Sequence, residues 1–262
     1  MNTKLPLAIL LASVSTVSYA QEEKTSMPNP GSIAEEKVST PGSDFDLYLG
    51  VKLWANQWQT WGTSGSQVTS KTSRGIELTP IPYLSLKYGD FFATGTYFAK
   101  TGYRFRDDFG DANRREWDVT GGYYVTPRDI ETKVGLTLGY KKIEQDFQNF
   151  SNFKYSGPIV GILGTAPIAY GFGLYGNFAY GWMTMDAPAR SGLNDKSASY
   201  VLAELGFLYT YAPKDKSIGP LNAATVTLGY RYQSVQTDDV INTGEEGTDT
   251  TKGLVLGLNL TF

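Results

Sequence analysis

The 262-residue chain contains no cysteine and no histidine. Without cysteine there is no disulfide framework, no thiolate nucleophile and no Cys-based zinc site. Without histidine there is no Ser-His-Asp or Cys-His activation, no imidazole ligand for a metal and no imidazole for acid–base work near neutrality. These absences exclude most familiar hydrolase mechanisms, so the expectation is a non-enzymatic protein with no catalytic residues, no metal site and no cofactor. An excess of one charge is also missing. The 23 basic and 26 acidic residues are scattered, which leaves no footprint for a nucleic-acid partner. Nor is there, beyond the N-terminus, an apolar run approaching the ~20 residues that a membrane-crossing helix needs.

What is present begins with an address. Lys4 precedes an apolar stretch from Leu5 to Val17, and Ser18 and Ala20 have the spacing of a small-residue cleavage site. Residues 1–20 therefore read as a secretory signal peptide. Residues 21–43 are rich in Pro, Ser, Glu and Lys and read as a flexible periplasmic linker, leaving 44–262 as the folded domain.

In that domain the hydrophobic period is two. Phe45, Leu47, Leu49, Val51 and Leu53 alternate with Asp46, Tyr48, Gly50, Lys52 and Trp54, so the strand meets two different environments. The pattern recurs around Leu84, Val119, Leu136, Phe178, Leu205, Leu228 and Leu256, and ten strands are expected in all. Short turns fall at 88–91, 126–129 and 166–170, a longer one at 212–222, and long polar segments at 59–73, 105–115, 144–155, 186–199 and 236–251. An even strand count with short connections on one side and long ones on the other predicts an all-β transmembrane antiparallel up-and-down barrel, with long extracellular loops and short periplasmic turns. Pro80 and Pro82 each remove a ladder donor, which predicts a bulge in the strand that carries them.

Charges in mid-strand identify the polar face as a wet lumen rather than a dry core. Its candidate lining is Lys52, Glu77, Lys87, Lys100, Arg104, Glu131, Lys133, Glu204 and Arg231, with Glu116, Asp118 and Lys141 on the same face. A turn at 88–91 opposes Lys87 to Phe92 and Thr79 to Lys100, placing Glu77 one diagonal step from Lys100. A two-residue turn at Pro127-Arg128 opposes Trp117 to Leu138 and Val119 to Leu136, with Glu131 near Lys133. Aromatic residues gather near strand ends: Trp58, Trp61, Trp117 and Trp182 toward the long loops, and Tyr88, Phe91, Tyr170, Phe172, Tyr209 and Tyr211 toward the short turns. They read as two interfacial girdles.

The chain stops on Phe262, with Leu260, Leu258 and Leu256 at two, four and six positions before it. In this the sequence resembles bacterial outer-membrane β-barrel proteins, whose last strand commonly ends in an aromatic residue after such an alternation. The resemblance spans Asp44 to Phe262. It implies periplasmic transit with the help of chaperones, insertion by the barrel-assembly machinery guided by Leu256, Leu258, Leu260 and Phe262, and residence among the lipid and lipopolysaccharide of a Gram-negative outer membrane. It identifies no extracellular partner.

Acidic pairs at Asp107/Asp108, Asp238/Asp239 and Glu245/Glu246 sit in loops, where solvent keeps both members ionised, and they read as solvated charge. The acidic last loop lacks the ordered spacing of a calcium site. Asp108-Phe109-Gly110 has neither the glycine-rich loop nor the strand lysine of a kinase. The sequons at Asn149 and Asn259 have little meaning in a bacterial envelope. Ten strands enclose little more than eight, whose interior side chains just fill. Two readings of function follow: a narrow porin-like channel for small solutes or ions, or a closed structural or binding barrel whose extracellular loops meet a partner.

Overall fold

The computed structural model describes residues 45–64, 67–105, 110–127, 130–148, 152–187, 196–213, 221–238 and 245–262. The expected signal peptide and linker lie outside them, as do Asp107, Asp108, Asp239 and Asn149.

Alternating residues here form eleven antiparallel strands: β1 (Phe45–Ser64), β2 (Gln67–Thr72), β3 (Glu77–Tyr88), β4 (Phe91–Arg104), β5 (Asp111–Tyr124), β6 (Lys133–Phe147), β7 (Phe153–Ala169), β8 (Phe172–Asp186), β9 (Lys196–Tyr211), β10 (Ala223–Thr237) and β11 (Gly247–Thr261). Ten of them form the expected closed ring. β1 pairs β3 on one side and β11 on the other, and every other neighbour in the ring is sequential. The eleventh, β2, was expected to be loop and instead pairs the upper end of β1 from Gln59↔Thr72 to Ser64↔Gln67. Phe262 closes the ring at the short-turn end: its N–H donates to the Leu47 carbonyl at 2.9 Å, and its own carbonyl accepts from Leu47 at 3.1 Å. At the same seam a side chain on Gly253 would stand 1.9 Å from the Ala55 carbonyl oxygen, so only glycine lets β1 and β11 approach.

The short turns follow from local backbone chemistry. Gly89 takes φ 60°, and Tyr170-Gly171 takes φ 51° and 83°. At Tyr170-Gly171 positive φ at both central residues, and at Gly89-Asp90 positive φ at the first, give tight hairpin turns whose twist matches the flanking strands. The third turn differs from the expectation. Val125 donates to the Val134 carbonyl at 2.8 Å, Gly121 opposes Leu138 and Tyr123 opposes Leu136, so β5 and β6 are offset by four residues from the two-residue-turn register. An even offset preserves both faces. Glu131 nevertheless precedes the strand and is exposed outside the lumen, contrary to its expected place.

Pro80 and Pro82 lie in an unbroken β3 that pairs β1 throughout, and the expected irregularity is in the neighbouring strand. The β3–β4 ladder runs only from Tyr83↔Thr96 to Tyr88↔Phe91, and β4 carries one extra residue between Phe98 and Thr101. Donors missing from two prolines on the same side of β3 account for the interrupted ladder. The extra residue reverses the alternation of β4, so Thr101, Tyr103 and Phe105 turn inward while Lys100 and Arg104 turn outward. These two cations therefore do not line the lumen, and Thr79 meets Thr101, hydroxyl to hydroxyl at 2.9 Å, rather than Lys100.

The exterior is apolar around the whole ring, with Leu49, Leu84, Val119, Leu138, Leu205, Phe207, Leu228 and Leu254 among its exposed residues. A continuous apolar outer band around a polar-lined interior has hydrocarbon as its solvent, and closure leaves no backbone edge unsatisfied in it. This is the architecture of a membrane-spanning β-barrel. Tyr88, Phe91, Tyr170, Phe172, Tyr209 and Tyr211 are exposed at the short-turn rim as a girdle, and Trp117 and Trp182 are exposed toward the other end. Trp58 and Trp61 are buried and belong to the interior, not to a girdle.

Leu205, 67% exposed, tests which solvent the outer face meets. Leu205→Arg is expected to lower unfolding stability in lipid by about 2–4 kcal/mol, as for a cation near a bilayer midplane. Chemical unfolding in vesicles reads this out, and an unchanged stability would mean that the face is not lipid-facing.

Candidate functional site

The lumen divides into two halves. Toward the short-turn end, inward positions carry small or hydroxylated residues such as Ser85, Thr94, Thr96, Thr120, Thr137, Thr165, Asn177, Thr225 and Asn259, all partly accessible. Aromatic rings lie flat over glycines in the same zone: a side chain on Gly50 would meet the Tyr83 ring at 2.2 Å, and one on Gly122 would meet Phe92 at 2.2 Å. This half forms a partly water-accessible vestibule at the short-turn end. Lys87 sits in it 3.7 Å from Asp46 and over the Tyr124 ring, and Lys133 reaches the Pro127 carbonyl at 3.4 Å.

The vestibule ends on a layer of ion pairs, mostly between neighbouring strands, with Lys52–Glu204 joining strands that are not adjacent. Glu204 on β9 accepts from Lys52 on β1 at 2.5 Å and from Arg231 on β10 at 2.8 Å. Farther in, Glu116 on β5 accepts from Arg114 at 2.7 Å and pairs with Lys141 at 2.8 Å. It also accepts from Gln233 at 2.8 Å, a contact from β5 to β10 on opposite sides of the ring. Lys141 reaches Asp118 as well, at 3.3 Å. Aromatic faces complete the cation shells. Arg231 lies over Trp54 and Phe98 at 5.2 and 4.9 Å, Lys141 over Phe98 and Tyr200 at 4.4 and 5.4 Å, and Arg114 over Trp58 at 5.4 Å.

Above this layer the interior is packed and largely apolar. Trp58 meets Tyr103, Phe105 and Phe147 with centroids 5.1 to 5.3 Å apart, and its indole N–H donates to Asp249 at 3.0 Å. The Tyr155 hydroxyl crosses from β7 to the Asp249 carboxylate at 3.4 Å. Ile143, Ile159, Met183, Met185, Tyr200, Leu202 and Val235 form one buried cluster beside it, and Trp61 caps that cluster by stacking on Phe153 at 5.8 Å. Tyr103 also donates to Asn56 at 2.6 Å, and Asn56 donates to Thr79 at 2.9 Å, so side chains bind together the strands whose ladder is interrupted.

Of the expected lining residues, Lys52, Glu204, Arg231, Lys87 and Lys133 point inward, and Glu77 holds an inward register position beside Thr79 and Ile81. Lys100, Arg104 and Glu131 do not. Glu116, Asp118 and Lys141 lie on the inward face as expected. Sequence reasoning missed Arg114, Gln145, Gln233, Asp249, Tyr155 and Trp58. The parity that already put Glu116 and Asp118 on the polar face was available as a signal for Arg114, two residues before Glu116, and the structure buries 112, 114 and 116 alike. Gln233 and Asp249 offered none, because their partners are remote in sequence. Among the described residues no group of three or more metal-ligating side chains converges. The inward charges among the described residues include the cations Lys52, Lys87, Arg114, Lys133, Lys141, Lys196 and Arg231 and the anions Asp46, Glu77, Glu116, Asp118, Glu204 and Asp249, a nearly balanced set suited to holding the barrel together.

No protein-family model and no curated protein matches the chain. Among solved structures it is similar to the translocator domain of the autotransporter NalP from Neisseria meningitidis, at 12% identity over 86% of this chain and 91% of that one, with a TM-score of 0.44. Neisserial surface protein A is 10% identical over 84% and 98% of the two chains, with a TM-score of 0.32. A FadL homologue of Pseudomonas aeruginosa is 8% identical over 83% and 90%, with a TM-score of 0.31. The barrel architecture rests on this chain's own closure and its two faces.

Glu116→Gln leaves Arg114 and Lys141 without their shared counter-charge and is expected to cost about 3–5 kcal/mol, the penalty for breaking a buried pair. Glu77→Gln and Lys100→Gln are expected to be additive, since the two side chains stand on opposite faces of the wall. Double-mutant cycles on urea unfolding in micelles check both statements. A silent Glu116→Gln, or strong Glu77–Lys100 coupling, would contradict the placement.

Proposed function

We propose that this is a closed, non-enzymatic barrel that presents its surfaces to a partner in the envelope or outside the cell, and that it does not conduct solutes. One observation carries the reading: Trp58, Tyr155, Lys141, Gln145, Gln233 and Val235, from strands all round the ring, are buried from water inside the barrel. A conducting lumen would leave a water-accessible path past them. The ion pairs beneath them act as a second closure, and each is costly to break. The alternative of a narrow porin-like channel draws support from the vestibule, which ends blind at Glu204.

The non-enzymatic reading is supported by the absence of histidine and cysteine and by the engagement of the interior carboxylates with cations and amides. Export through residues 1–20, a periplasmic linker at 21–43, and assembly by the barrel-assembly machinery through Leu256, Leu258, Leu260 and Phe262 complete the proposal. Leu256 and Leu258 face lipid, and Phe262 closes the ring, which suits a last strand that must be recognised before it pairs.

Planar-bilayer recording tests closure. The refolded wild-type barrel is expected to give no resolved single-channel steps, whereas a Trp58→Ala/Tyr155→Ala variant that keeps its heat-modifiable migration is expected to give them. Regular steps from the wild type would overturn the closed reading in favour of the channel.

A further inference from the structure

Cations on the barrel's outer wall are concentrated on one arc. Toward the extracellular end, the outward positions of β4 to β7 carry Lys100, Arg104, Arg115, Lys142 and Lys154, together with Asp111, Glu144 and Asp146. Comparable outward positions across the ring carry Gln57 on β1, Ser199 on β9, Ser234 on β10 and Thr248 on β11, with Lys252 as a cation and Asp186 and Glu246 as anions. The bulge that turned Lys100 and Arg104 out of the lumen thus placed both in this arc.

The arc has an internal order. Tyr97, Trp117 and Tyr140 are exposed on adjacent strands, with Trp117 and Tyr140 rings 5.9 Å apart. Such an aromatic row marks the boundary between hydrocarbon and head groups. Lys142 opposes Trp117 in the ladder, and Arg115 lies two residues farther from the membrane, roughly 7 Å at the usual strand rise. Lys100, in the bulge, faces the same stretch of β5 as Arg115. Glu144 binds both Arg115 and Lys142, the latter at 2.8 Å, and so fixes the two cations side by side with Arg115 still 52% exposed. Glu144 between Arg115 and Lys142, with Lys100 beside them, sets three cations against one carboxylate at head-group depth, while Lys154 is opposed by Asp186 in the ladder and Asp146 lies two residues farther out than Glu144.

We propose that this arc is a binding site for the phosphorylated glycolipid head group of the outer leaflet, with Lys100, Arg115 and Lys142 as the phosphate ligands. The guanidinium fork of Arg115 matches a phosphate bidentately, while Lys100 and Lys142 supply point charge on either side. The exposed rings of Tyr97, Trp117 and Tyr140 pack against the first carbons of the acyl chains. The site rests on the outer-membrane reading and is independent of whether the lumen is closed.

Native mass spectrometry of the barrel in micelles, titrated with bisphosphorylated lipid A, dephosphorylated lipid A or phosphatidylglycerol, tests the assignment. Wild type is expected to retain bisphosphorylated lipid A at least 10-fold better than either other lipid. The triple variant K100Q/R115Q/K142Q is expected to lose that preference, and K252Q on the opposite arc to keep it. The three-lipid comparison on wild type stands even if the triple variant fails to fold. Equal retention of the dephosphorylated lipid, equal retention of phosphatidylglycerol, a triple variant that folds and binds as wild type, or loss of the preference in K252Q would each overturn the proposal. A wild-type barrel that binds lipid A selectively yet conducts in bilayers would refute closure and leave this site standing.

Discussion

Closure of the β1–β11 seam is the constraint on which the rest of this molecule depends. In hydrocarbon an unpaired backbone N–H or C=O costs several kcal/mol, so the sheet is stable only when its first and last strands meet. Twelve paired positions from Tyr48↔Thr261 to Gln59↔Thr250 satisfy that demand, and the Leu47–Phe262 exchange locks its periplasmic end. Gly253 is part of the same requirement, since the two backbones approach there more closely than any side chain permits. Once the ring is closed, the two faces of every strand are assigned to opposite solvents.

A ten-stranded ring leaves an interior that must then be filled or wetted, and this chain does each in a different half. Near the periplasm, serine, threonine, asparagine and glycine leave a vestibule that water can enter. Toward the outside, aromatic and aliphatic side chains pack across the hollow, and charges just below them neutralise one another in pairs and triads. The two solutions support each other. The ion pairs are held in place by the aromatic faces of Trp54, Phe98 and Tyr200, and the apolar layer shields them from the extracellular side. Such an interior behaves as a core with polar fasteners, which is why closure is the functional reading it favours.

The wall is not uniform. Pro80 and Pro82 withhold two donors from β4, and β4 responds with an extra residue that reverses its alternation. Hydrogen bonds among Asn56, Thr79, Thr101 and Tyr103 reconnect the strands from the inside. The same irregularity carries Lys100 and Arg104 to the lipid side, where they join Arg115 and Lys142 on one arc. A local backbone defect thus sets both the binding chemistry of the outer surface and the side-chain stitching of the inner one.

The residues by themselves determined the class of fold. Strict alternation over Phe45–Leu53, Trp117–Val125 and Leu254–Phe262 makes sense only for strands between two solvents, and mid-strand charges such as Lys52, Glu204 and Arg231 identify the inner one. Even the four-residue error in the β5–β6 register left these faces unchanged, because parity survives an even shift. Three things awaited the tertiary structure. The alternation around Phe98-Ala99-Lys100-Thr101 reads equally well with or without an extra residue, so the neighbouring ladder decided which way Lys100 faces. Trp58 and Trp61 sit near a strand end, where a girdle and a plug have the same composition, and their burial against Phe147 and Phe153 made them a plug. Closure of the lumen depends on partners such as Glu116 with Gln233 and Lys52 with Glu204, 117 and 152 residues apart in the chain. Periodicity is a property of near neighbours and assigns faces; which side chains meet across the barrel is set only when the ring closes.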